Sequence, residues 1–172
     1  MNAFVTRQHS GPVFRALSTN STATEFASVA PQSSKPTGSG VFDLAADLAG
    51  AAVPEKLGVI PFALGADGDQ LNVRVFGWRQ IATLWVPVLL AELAATVGTT
   101  VGVAGQPVIA TERFADTLAL TDGNTAEVTL TSPENNLIAH ALVSVKGFPV
   151  VQVDFDTGAA PPTSMNALLF TV

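Results

Sequence analysis

An all-β fold, an antiparallel β-sandwich or jelly-roll-like barrel with an extended N-terminal arm, is what this sequence predicts, and three observations predict it. Short runs of alternating apolar and polar residues recur through the chain, the spacing of strands with one buried face. Turn residues punctuate them at intervals of about ten, giving about eight to ten short strands, the rhythm of sandwiches and barrels. The longest nearly uncharged run, Leu71 to Ala104, opens as such a strand, with Leu71, Val73 and Val75 alternating with Asn72, Arg74 and Phe76.

Taken in order, residues 1–40 hold scattered apolar side chains among Ser, Thr and Asn, too few for a core of their own. They end in PQSSKPTGSG, a Pro/Gly/Ser linker. These residues read either as an arm that packs on the body or reaches a neighbour, with Phe4, Val5, Val13, Phe14 and Phe26 as its candidate interface residues, or as an ordinary first strand or two with a long loop. Residues 41–172 read as the β-sandwich body. In FDLAADLAGAAV, Asp43 and Asp47 stand four apart and Leu44 and Leu48 follow, which predicts one or two turns of helix ended by Gly50 and Pro54. Leu57–Leu64 is a strand in which Pro61 marks an edge or a bulge, and GADGDQ after it is a turn-rich loop.

The central run carries both tryptophans. Gly77 interrupts its alternation and predicts a bulge or bend with a large ring beside it. Trp85 to Val97 reads two ways: as a helix started by Pro87 and ended by Gly98, or, preferred in this context, as a strand buried on both faces. Downstream, Phe114–Leu120, Glu127–Thr131, Leu137–Val145, Phe148–Phe155 and Ala167–Val172 follow as strands. The turns between them are predicted at Asp122-Gly123-Asn124, Pro133–Asn136 and Lys146-Gly147. Val73, Val75, Trp78, Trp85, Val151, Val153 and Phe155 are the expected core residues. No internal repeat is present.

A chain of 172 residues without cysteine buries enough surface to fold as one domain without disulfides. Charged residues make up only 13% of it and the net charge is −6. So weakly charged a surface favours burial against other subunits, and the few, scattered basic residues form no stripe for phosphate, so nucleic acid is not an expected partner. The start, MNAFVTRQHSGPVFRAL, lacks the pattern of a signal peptide, and no run has the length of a membrane span. Synthesis in the cytoplasm, with no membrane partner, is therefore expected.

Residues able to do chemistry are sparse. Asp67 and Asp69 resemble part of a calcium loop but lack its further acidic positions, so a solvated turn is expected. Asp154 and Asp156 project from one face of a strand, as an acid/base pair does, although a polar outer face is the simpler reading. His9 and His140 show no ligand spacing, and no serine sits in a nucleophile elbow. No cofactor, metal or catalytic site is expected. Trp78 and Trp85, flanked by apolar residues, are expected in a core or interface; an exposed aromatic platform is the alternative.

The segments VRVFGWRQ, LWVPVLLAEL, TERFADTLAL with its Asp-Gly-Asn turn, VKGFPVVQVDFDTG and SMNALL resemble, in this order, small virion proteins of tailed bacteriophages of the capsid decoration or cement type. The resemblance spans roughly residues 57 to 172. It implies an oligomeric all-β body on the virion surface, assembled in the host cytoplasm. A homotrimer that binds the major capsid protein, with the arm bridging neighbouring subunits, is the expectation that follows. A receptor- or carbohydrate-binding module of a phage fibre or tail is the alternative.

Overall fold

The computed structural model describes residues 17–23, 25–47, 54–66, 68–97, 112–122, 126–129 and 140–171. Within them run β1 (Leu17–Ser21), β2 (Val41–Asp43), a single helical turn α1 (Leu44–Asp47), β3 (Lys56–Leu64), β4 (Gln70–Ile81) and β5 (Leu84–Val97). The chain continues through β6 (Glu112–Asp122), β7 (Ala126–Thr129), β8 (His140–Ser144), β9 (Val150–Thr157) and β10 (Ser164–Thr171). Among the described residues all strand pairings are antiparallel. The first sheet places β10 between β1 and β3, with β8 and then β7 continuing from the first half of β3. The second sheet runs β6-β5-β4-β9-β2.

The strand β6 joins the sheets. Its first residues pair with Phe62–Leu64 of β3, and the rest pairs with β5. The path from β1 to β2 stays open, so among the described residues the fold is a sandwich and no barrel closes. Pro61 sits where β3 exchanges β8 for β6 as its neighbour. A residue without an N–H is tolerated at a gap in the ladder, even in a strand flanked on both sides.

The alternating apolar residues of β3, β4, β5, β8, β9 and β10 meet in one core between the sheets. Val73, Val75, Val151, Val153 and Phe155 all lie in it, each at most 4% exposed. The run Trp85–Val97 is strand throughout. Its register shifts opposite Val75/Phe76, where Leu90 is the extra residue, so Leu90 and Ala91 are buried consecutively. This bulge breaks the period of two, which is why the run does not read cleanly as a strand. Pro87 turns its missing N–H to the side of β5 that β6 leaves free beyond Glu92.

The ring expected beside Gly77 is Phe148, not its neighbour Trp78. A Cβ at Gly77 would lie 2.5 Å from Cγ of Phe148 and 2.9 Å from Cδ1 of Leu90. The Lys146-Gly147 turn forms as expected, with Gly147 at φ 83° and the Phe148 N–H donating to the Val145 carbonyl at 3.0 Å. One turn of the expected helix, α1, lies among the described residues, and its Asp47 carboxylate accepts the Asp43 N–H at 2.7 Å. The strand expected over Ala167–Val172 begins earlier, at Ser164, and buries Met165, Ala167 and Leu169. Phe4, Val5, His9, Val13, Phe14 and Asp67 lie outside the described residues.

Candidate functional site: a strap over the second sheet

After β1 the chain crosses to the outer face of the second sheet and runs along it as a strap, residues 25–40. Expected as the end of the arm and its linker, this stretch is fastened at successive points. The Ala27 N–H donates to Asp154 Oδ2 at 2.7 Å. Gln32 and Trp85 exchange both backbone hydrogen bonds, at 3.0 and 2.7 Å. The Val153 N–H donates to the Gly40 carbonyl at 2.8 Å, and Pro36 and Gly40 are themselves buried. An irregular segment remains ordered only where its backbone groups and apolar atoms find partners, and this one finds them on its own chain.

Beneath it, Arg74 is central. It faces Glu92 on one neighbouring strand and Asp154 on the other. Its Nε donates to Glu92 Oε2 at 2.7 Å, and its guanidinium lies 3.9 Å from the centre of the Phe26 ring. Phe26, an expected interface residue, therefore packs on the body of its own chain. The planar guanidinium satisfies a carboxylate through its edge and an aromatic ring through its face, which lysine does not do as well.

Trp78 is buried, as expected, whereas Trp85 is not. Trp78 stands opposite Val150, on the outer side of the sheet, and is 3% exposed because the strap covers it. It is buried, but in a small second layer rather than in the main core. Trp85 is only half-buried and lies outside the main core cluster. The bulge in β5 places it outward, opposite Gln80, with the Lys35 ammonium 6.0 Å from its ring. Neither ring forms the open platform that a receptor-binding surface of stacked aromatics requires.

Lys35 also pairs with Asp43, joining the strap to the end of β2. The Lys35 hydrogen bond holds the Asp43 carboxyl below its ordinary value of 3.8. A depressed folded value adds stability above the ordinary pKa, which is lost as pH falls through the lower folded one. We therefore expect the Lys35–Asp43 latch to open below about pH 4, shifting the Gln32 and Trp85 amide resonances together. In Lys35→Met the Asp43 titration returns toward its ordinary value, and an unchanged midpoint would refute the latch. Glu55 is lowered in the same way by Lys146, and Lys146 is raised by Glu55, in an exposed pair at 2.8 Å.

Between strap and sheet lies a cleft of about 270 Å³ whose walls include Ser28, Gln32, Thr37, Ser39, Trp78 and Gln152. Gln152 and Gln32 carried no sequence signal, since a glutamine on the polar side of a strand or in a loop looks like any solvated residue. Asp154 and Asp156 do share the outer face of the second sheet, but Asp154 is engaged by the strap and Asp156 stands opposite Asn72. His140 is on the outer face of the first sheet, edge-on to Phe170 at 5.9 Å, so the structure does not bring it to the two aspartates. Asp69 closes its own turn by accepting the Ala66 N–H at 2.6 Å. Among the described residues no three His, Cys, Asp or Glu side chains gather, and no helix is long and apolar enough to cross a membrane.

Comparison of the chain with family models, curated proteins and solved structures gives no match.

Proposed function

We propose that the chain is a structural virion protein, a capsid decoration or cement protein that binds the outer head surface of a tailed bacteriophage and stabilises its lattice as a homotrimer. The observation that carries this reading is the contrast between the outer faces of the two sheets. The second sheet's face has a charged ladder and its own strap. The first sheet's face instead presents Ile60, Phe62 and Leu64 from β3, Leu168 and Phe170 from β10, and Leu142 from β8, all half-buried. Ile60 pairs with Leu168, and Gly58 with both Phe170 and Leu142, so these side chains form one continuous patch.

Large apolar side chains in such a row, on a chain with so few charges, favour burial against another protein, at about 25 cal/mol per Å². The resemblance of the body to decoration proteins supports the same reading. The bridging surface then shifts from the arm as a whole to this face, because β1 and the strap are held in cis. For the same reason, deleting residues 1–40 removes part of the fold as well as the arm.

Polar substitutions that keep strand propensity provide a cleaner test. Ile60→Thr with Leu168→Thr should lower the melting temperature by only a few degrees, about 1–2 kcal/mol, yet weaken binding to heads lacking this protein by about tenfold or more. Undiminished binding by the double variant would refute this face as the attachment surface.

A further inference from the structure

The cleft under the strap is lined mainly by polar surface and by no charged side chain. Its two amides are oriented by the protein itself. The Trp78 indole N–H only donates, so its 3.0 Å bond to Gln152 Oε1 fixes which end of that amide is oxygen. The Gln152 Nε2 then makes no hydrogen bond among the described residues and keeps two donors. Gln32 Nε2 donates to the Ser34 carbonyl at 3.1 Å, which leaves Gln32 Oε1 as an acceptor. The hydroxyls of Ser28, Thr37 and Ser39 complete the lining, each able to donate and to accept.

A fixed donor, a fixed acceptor and hydroxyls of both kinds match a ligand whose own groups donate and accept at every position. We propose that this cleft binds a single neutral pyranose residue. The volume, at the small end for ligand sites, suits one ring, and the uncharged lining offers no partner that would favour an ion over a neutral polyol. Trp78 is too buried to serve as a stacking platform. It acts as the anchor that holds the Gln152 amide in one orientation, which spares the ligand part of the ordering cost. This site stands independently of the assembly role: a chain that does not decorate a head keeps the same cleft.

The test is an NMR titration of the full chain with methyl glycosides of glucose, galactose, mannose and N-acetylglucosamine, alongside glucuronate and glycerol. At least one neutral glycoside should shift the Trp78 indole and Gln152 side-chain amide resonances saturably, with a Kd on the order of 1–10 mM. Gln152→Glu keeps an acceptor for Trp78 but loses the Nε2 donors, and should weaken that Kd by about tenfold while the melting temperature stays near wild type. Thr37→Val, at an exposed position, should weaken it severalfold and guards against a folding defect in the first variant. Retention of the chain on beads carrying the same glycoside identifies a glycan chain as the ligand; binding of the free sugar alone identifies a small metabolite. The proposal is overturned if no glycoside moves these resonances, if glycerol and glucuronate move them equally, or if Gln152→Glu binds unchanged.

Discussion

Replacing Phe155 by alanine should cost about 3–5 kcal/mol and lower the melting temperature by about 10–15 °C. Phe155 is among the largest fully buried side chains, 1% exposed on β9, and it stands opposite Val73 in the middle of the second sheet. Truncation removes the ring's transfer free energy and leaves a void that sheet residues on both sides cannot close without breaking their ladders. Urea unfolding measures the loss directly, with an unchanged slope expected because the same surface is exposed on unfolding. A loss under about 1 kcal/mol would mean that the two sheets do not pack on each other as described.

Gly77→Val should cost about 2–3 kcal/mol by the opposite route, overpacking. Its new Cβ would come within 2.6 Å of two ring atoms of Phe148, on the inner side that also holds Leu90. The clash falls on the root of the Phe148 ring, at Cγ and Cδ1, which rotation of the side chain moves least, and Phe148 packs against the core. Gly58 gives the internal comparison. A Cβ there would meet the far end of the Phe170 ring, at 2.0 Å, on the outer face of the first sheet, where that ring swings aside more easily. Gly58→Ala should therefore be the milder change. Pairing Gly77→Val with Phe148→Ala should cost less than the sum of the two single losses, and strict additivity would contradict the close approach.

The fold class was legible because the periodicity of single strands survives wherever the backbone is regular. Leu71, Val73 and Val75, then Ala141, Val143 and Val145, then Val151, Val153 and Phe155 each show one face of a sheet, and each set is buried in the core. Legibility failed where the backbone departs from regularity. The extra residue Leu90 switches the face of β5, which left Trp85–Val97 open to a helical reading and placed Trp85 outward. The turn between β4 and β5 is Ala82-Thr83, with Ala82 at φ 53°, a conformation that glycine or asparagine usually announces. No such signal stands there, so that hairpin had no visible tip.

The strap was illegible for a different reason. PQSSKPTGSG has the composition of a linker, and composition records what a segment can bury, not what it can hydrogen-bond. Gln32, Lys35 and Gly40 are held through backbone groups and one ion pair, contacts made to residues more than a hundred positions away in the case of Val153. The charged ladder around Arg74 was hidden likewise. Arg74, Glu92 and Asp154 lie in three different strands and become one cluster only through the order β5-β4-β9. For the candidate sugar cleft, the sequence supplied Trp78 but not its partner Gln152.

The assembly role is tested most directly by quantitative mass spectrometry of purified phage particles, comparing the copy number of this chain with that of the major capsid subunit. A decoration protein predicts a fixed stoichiometry commensurate with the capsid lattice, on the order of one trimer per local threefold position. Absence of the chain from the particles, or a copy number far below that of the capsid subunit, would contradict the role.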